Sequence, residues 1–167
     1  MDLDRRRTLL SRYRTGAAVV ADALAGATDA ELDARPADGG WTAREVVIHL
    51  PDSEMSGAIR LRRLIAEDEP VIQAYDQDVY AQRLHYDRPI AASLAALAAV
   101  RTLTAELLDR LTEAEWQRTG THSEAGAYSV STWLEMYGAH AHDHADQIRR
   151  ALAEARGQAV GQAAVTA

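Results

Sequence analysis

The sequence contains no cysteine. That removes disulfides, thiolate metal ligands and a cysteine nucleophile together, so any metal must be held by His, Asp or Glu. Lysine is missing too, and every side-chain cation is an arginine. No stretch approaches the roughly 18 consecutive apolar residues of a membrane span. The opening residues, Met1-Asp-Leu-Asp-Arg-Arg-Arg7, lack the apolar centre of a signal peptide. No membrane partner is expected, and the cytoplasm is the expected location. A net charge of −7 offers no basic face to nucleic acid.

With 167 residues there is room for one domain with a substantial core. Helical spacing dominates. Leu9, Leu10, Tyr13, Ala17, Val20 and Leu24 mark a first amphipathic helix over about Leu3–Ala25. Thr42-Ala-Arg-Glu45 is a capping box that opens a second helix, running to about Glu67. Pro51 within it predicts a kink or local break, because it lacks the N–H that would bond the Val47 carbonyl. Asp87-Arg-Pro89 starts a third helix over Ile90–Leu111, and Ser129 caps a fourth that runs to about Arg156. A short helix is expected around Gln77–Leu84, and no strand-like alternation persists. The fold class is all-α, a four-helix bundle over residues 1–157, with a short tail at 158–167.

The fourth helix carries the chemistry. His140 and His144 lie four residues apart, about 40° apart around the axis and about 6 Å along it. They share a face with Trp133, Tyr137 and Ile148, whereas His142 points elsewhere. Imidazoles facing an apolar interior need partners, and a divalent ion would be one. A third candidate, His49, lies in the second helix between Ile48 and Leu50. The letters alone also fit a solvated acidic face with incidental histidines. Ala141 stands where a zincin has its glutamate, so that metalloprotease pattern is absent.

These stretches identify a resemblance. Gly39–Glu54, Ala58–Arg60, Pro70–Gln77 and Trp133–Ile148 closely resemble the DinB superfamily, and within it the YfiT-like branch. Its members are bacterial four-helix metalloproteins regarded as metal-dependent hydrolases, and the branch includes bacillithiol S-transferases. Similarity runs from roughly Ala21 to Leu152. Carried over residue by residue, the family's three-histidine metal site falls on His49, His140 and His144. This chain departs from its relatives at Pro51, where a small residue is common, and at Asp143, where a second histidine often stands.

The resemblance implies one divalent ion, zinc or nickel, with an open position for water or substrate. Its expected use is to present a low-molecular-weight, bacillithiol-like thiol as a thiolate to a small electrophile. The alternatives are a hydrolase acting through metal-bound hydroxide and a non-enzymatic helical bundle that binds a metal or ligand. Asp52 and Glu54 are the candidate catalytic carboxylates. Arg60 and Gln147 are candidate substrate-binding residues, Arg60 having a simpler role in pairing with Glu67 or Asp68. A homodimer is a further expectation from the relatives.

Overall fold

Three Thr-x-x-Glu boxes punctuate the chain, at Thr28/Glu31, Thr42/Glu45 and Thr112/Glu115. In each, the threonine hydroxyl accepts the glutamate backbone N–H, and the carboxylate accepts the threonine N–H. They belong to a computed structural model that describes residues 1–165. The long helices are α1 (Leu3–Ala23), α3 (Ala43–Ala66), α5 (Ala91–Leu108) and α7 (Val130–Val165). Short helices α2 (Asp29–Asp33), α4 (Gln77–Arg83) and α6 (Glu113–Trp116) lie in the connections. The expected tail at 158–167 is helical as far as Val165, and residues 166 and 167 lie outside the described residues.

Three expectations change. Helix α3 is continuous through Pro51, with no break. Pro51 and the four residues before it are all buried, so packing offsets the lost backbone bond. Helix α5 begins at Ala91, two residues past the proline that was to start it. A small sheet also forms in connections that read as irregular. Strand β1 (Val71–Ile72) pairs in parallel with β2 (Thr119–His122), which pairs antiparallel with β3 (Gly126–Ser129). Two to four residues are too few for alternation to show. Among the described residues α5 is also long and apolar enough to cross a membrane by length and composition. Its alanines raise the mean hydropathy, although Ser93 and Arg101 interrupt the apolar run.

Contacts fix the helix directions. Arg12 and Val19 of α1 meet His142 and Arg149 of α7, in rising order, so these two run parallel. Glu54 and Arg62 of α3 meet Arg101 and Thr104 of α5 in the same sense. His49 and Gly57 of α3 meet His144 and Trp133 of α7 in falling order. The bundle is thus two parallel pairs set antiparallel to each other. A parallel neighbour cannot be reached by a tight turn. The connection 67–90 must return along all 24 residues of α3, about 36 Å at 1.5 Å per residue. It forms a strap down one side of the bundle, carrying Tyr75, Tyr80 and Tyr86.

The core has two apolar levels. One gathers Leu9, Leu61, Leu64, Leu108, Trp133 and Leu134; the other gathers Val20, Val46, Leu50, Leu97, Ala145 and Ile148. Between them lies a polar layer around Arg101, only 2% exposed. The Arg101 guanidinium donates to the Tyr13 carbonyl of α1 (2.8 Å), the Glu54 carboxylate of α3 (2.5 Å) and the Tyr137 carbonyl of α7 (3.2 Å). Tyr13 donates its hydroxyl to the other Glu54 oxygen. Gly16 makes room, since a Cβ there would sit 2.8 Å from both the guanidinium and the Ala141 Cβ. One arginine therefore ties all four long helices together.

A candidate metal centre between α3 and α7

The capping box at Thr42 sets the register of α3, and the apolar positions Val46, Val47 and Leu50 turn that helix inward, burying His49 with them. The stripe Trp133, Tyr137, Ile148 does the same for α7. Trp133 is anchored by its indole N–H, which donates to the Gly57 carbonyl at 2.7 Å. Gly57 is open enough for the Tyr137 ring, which would lie 2.3 Å from a Cβ there. The antiparallel crossing then brings three imidazoles together. Ring centroids are 5.5 Å apart for His49–His140, 5.0 Å for His49–His144 and 4.5 Å for His140–His144. Each ring offers a nitrogen within 4.8 Å of the other two.

The residues fit a divalent ion on their own chemistry. Both ring nitrogens of His49 and Nδ1 of His140 are buried without a hydrogen-bond partner, an arrangement that costs about 1–3 kcal/mol per group if left uncompensated. His144 has its Nδ1 2.8 Å from the Gln147 side-chain oxygen. Nδ1–H donates there, which leaves the Nε2 lone pair aimed at the cluster, 3.1 Å from Nε2 of His140. All three rings are held neutral, the form that ligates. Burial, then the charge of His144, lowers His49 to about 4. Burial, then His144, His49 and Arg101, lowers His140 to about 2. Burial also lowers His144, against the opposing pull of Gln147 and Asp143.

A pH dependence follows. An unfolded imidazole gains its proton near 6.5, while the folded rings do so only at lower pH. Below about 6.5 the unfolded chain therefore binds more protons, and stability falls as pH falls. The thermal midpoint of chelator-treated protein should drop between about pH 7 and 5, and the drop should shrink in the His49→Gln/His140→Gln variant. Calorimetry across that window checks it; equal slopes for both proteins would mean that the folded rings protonate freely.

Other predicted site residues are placed as follows. Asp52 is half-buried, and its Oδ2 accepts the Tyr86 hydroxyl at 2.8 Å. Glu54 is fully buried in the Arg101 layer, both oxygens engaged there, and bonds to no ligand ring. Arg60 donates to the Gln73 carbonyl and lies 5.5 Å from the Tyr75 ring centre. It pairs with neither Glu67 nor Asp68; Arg63 takes the first and Arg118 the second. Gln147 orients His144 and also lines a cavity beside it. His142 faces α1, with Nε2 2.9 Å from the Arg12 carbonyl.

Two residues that the sequence reading passed over complete the walls. Trp41 stands edge-on to His49 at 5.0 Å, and Tyr86 stands edge-on to Trp41 at 6.3 Å. Trp41 is the residue just before the capping box, and its position in the matched stretch was the available signal. Tyr86 sits in the irregular part of the strap, beside a left-handed His85 (φ 56°), where no periodicity marks it.

The comparisons agree with this geometry. The chain is 37% identical over 114 residues to "Putative metal-dependent hydrolase OB0782" of Oceanobacillus iheyensis, a match covering 68% of this chain and 66% of that protein, just under two thirds of its length. It is 33% identical over 119 residues to "Putative metal-dependent hydrolase YfiT" of Bacillus subtilis, covering 70% and 67%. A solved structure described as "YfiT from Bacillus subtilis is a probable metal-dependent hydrolase with an unusual four-helix bundle topology" superposes with a TM-score of 0.86 at 28% identity, covering 94% of this chain and 90% of that one. The family pattern spans residues 12–148, from the middle of α1 to the end of the histidine stripe. On that span, with two paired bundle halves and three converging imidazoles, the chain belongs to the DinB superfamily.

Proposed function

We propose that this protein is a metal-dependent enzyme that joins a low-molecular-weight thiol, bacillithiol-like in class, to small electrophiles. The observation that carries the reading is the donor set itself: three neutral imidazoles, from two helices, with His140 and His144 half-buried. Bound by His49, His140 and His144, a zinc or nickel ion would supply a Lewis acid with an open position, able to lower the pKa of a thiol or a water.

The chain's own residues favour the thiol. Zincin-type hydrolases set a carboxylate base beside the metal-bound water, whereas here Glu54 is committed to Arg101 and Tyr13, and Asp52 accepts the Tyr86 hydroxyl. A thiol ionises near 8.5 and needs less help. Gln147 fixes the His144 tautomer, while Trp41 and Tyr86 wall off the His49 side from water. The sulfur forms a bond to the electrophilic carbon, the leaving group departs with its electron pair, and the thiol proton goes to solvent.

The second reading, a hydrolase, is favoured by the names of the relatives. A fluorogenic electrophile separates the two. Metal-loaded protein with a panel of cellular thiols should give a thiol-dependent rate well above the metal-free control, with a thioether product seen by mass spectrometry. Metal-dependent turnover unaffected by any thiol would select the hydrolase. Stoichiometric metal with no turnover of either kind would leave a metal-binding bundle.

A further inference from the structure

Helix α5 is built the wrong way round for a bundle helix. A surface helix turns its apolar residues to the core and its polar ones to water, but half of the six buried positions of α5 are polar: Ser93, Arg101 and Thr104. Its outward side carries Ala92, Ala99 and Leu103, all exposed, with Ala96 half-buried among them. The spacing of those four, alternately four and three residues, is that of a seam between two helices. The adjoining edge of α3 is apolar as well. Met55, Ile59 and Leu103 are 43%, 60% and 59% exposed, and with Ala58, Arg62 and Val100 they line a groove of about 270 Å³. A continuous apolar face of this kind marks a contact surface. Two opposite charges border it. Arg62 stands on the α3 edge, its guanidinium 3.4 Å from the Thr104 hydroxyl. Glu106, two residues past Thr104 and about 3 Å along the axis, stands on the α1 edge. Nearby Arg63 and Arg14 are paired with Glu67 and Asp109, but Arg62 and Glu106 have no ion-pair partner among the described residues.

We infer that two copies of this chain associate through this face, α3 of each against α5 of the other, across a two-fold axis parallel to the helices. A two-fold pairs one patch with itself, so the patch must complement its own image. Such an axis keeps every residue at its height and exchanges the two edges. It sets the large Met55 and Ile59 side chains against the alanine stripe of the second copy, and it brings Arg62 to Glu106 of the partner subunit. The same ion pair forms at both edges, so two chains of net charge −7 meet there without a like-charge contact. The size agrees. The 18 residues of α5 span about 27 Å, and two adjacent helices are about 20 Å wide. A corrugated patch of that extent is on the order of the roughly 800 Å² per partner that stable dimers bury. His49 points to α7, about 120° around α3 from Met55, so the contact face and the metal centre are separate.

The test is sedimentation of the full-length protein, which should be a dimer at about 10 µM chain, within reach of an interface of standard size. Leu103→Asp should raise the dissociation constant about 100-fold or more, because it carries a charge into the contact. Arg62→Glu should raise it about tenfold by setting two carboxylates together, and the swap Arg62→Glu/Glu106→Arg should bring it back to within about threefold. Leu84→Asp, at a leucine that is 41% exposed off this face, should change nothing. Thermal midpoints matching the parent separate a lost contact from a lost fold, and the charge swap decides the matter should Leu103→Asp lower its midpoint. A monomer at about 100 µM, a dimer indifferent to Leu103→Asp, or a swap that restores nothing would each overturn the inference. So would a monomer that co-sediments with phosphatidylcholine vesicles and loses them with Leu103→Asp, which would give the face to lipid.

Discussion

Purified without an affinity tag, the protein should carry about one divalent ion per chain, and His49→Ala should reduce its affinity for that ion by well over 100-fold. Loss of an orienting partner such as Gln147 costs about 10–100-fold, and loss of a ligand must cost more. His140→Ala and His144→Ala should be more severe still, because each destroys the four-residue pair whose nitrogens lie 3.1 Å apart. His142→Ala should keep its metal, since that ring is turned to the Arg12 carbonyl. Stability adds a second readout. His49 is 1% exposed and bonds to nothing in the fold, so without metal its removal costs only packing, whereas a histidine kept for structure would surrender a hydrogen bond. Full metal in a His49→Ala/His140→Ala double variant, by elemental analysis, would end the three-histidine centre.

Arg101→Met should destabilise the fold by about 3–5 kcal/mol, the usual cost of leaving one member of a buried ion pair without the other. At roughly 2–4 °C per kcal/mol for a chain of this size, the thermal midpoint falls by about 6–20 °C. The large value comes from geometry: the guanidinium bonds to three other helices, and Glu54 is left at 0% exposure with a negative charge. Burial already pushes the Glu54 carboxyl up, held back by Arg101 and Tyr13; without Arg101 it takes up a proton far more readily. Adding Glu54→Leu to Arg101→Met should recover much of the loss, because the uncompensated charge is gone. Chemical denaturation of the wild type, the two single variants Arg101→Met and Glu54→Leu, and the double variant closes the cycle. A single-variant cost below about 1 kcal/mol would mean that the layer is solvated and the tie is not a tie.

The parts of this molecule that the sequence reveals are those governed by helical period. The stripe from Trp133 to Ile148 puts two imidazoles on a core face, and the box at Thr42 announces α3 to within a residue. The same box at Thr28 and Thr112 announces α2 and α6 just as clearly. Glu54 illustrates how adjacency misleads. It lies five residues past His49, about 140° around the helix, and so faces Arg101 while His49 faces α7. What could not be read is what depends on distant partners: the convergence of Arg101 with Tyr13 and Tyr137, the parallel pairing of α3 with α5, and the aromatic wall of Trp41 and Tyr86. Pro51 shows the converse, a strong local signal overridden by burial on every side.

The three imidazoles ride on two core helices, whereas Tyr75, Tyr80 and Tyr86 hang from the strap that joins one parallel pair. The ligand helices and the Tyr86 part of the wall beside them are therefore separable pieces of chain. A lineage could lengthen, shorten or recompose residues 67–90 and so reshape the wall beside Trp41, while the histidine crossing stayed as it was. The long way round that a parallel pair demands would then be this scaffold's route to diversification.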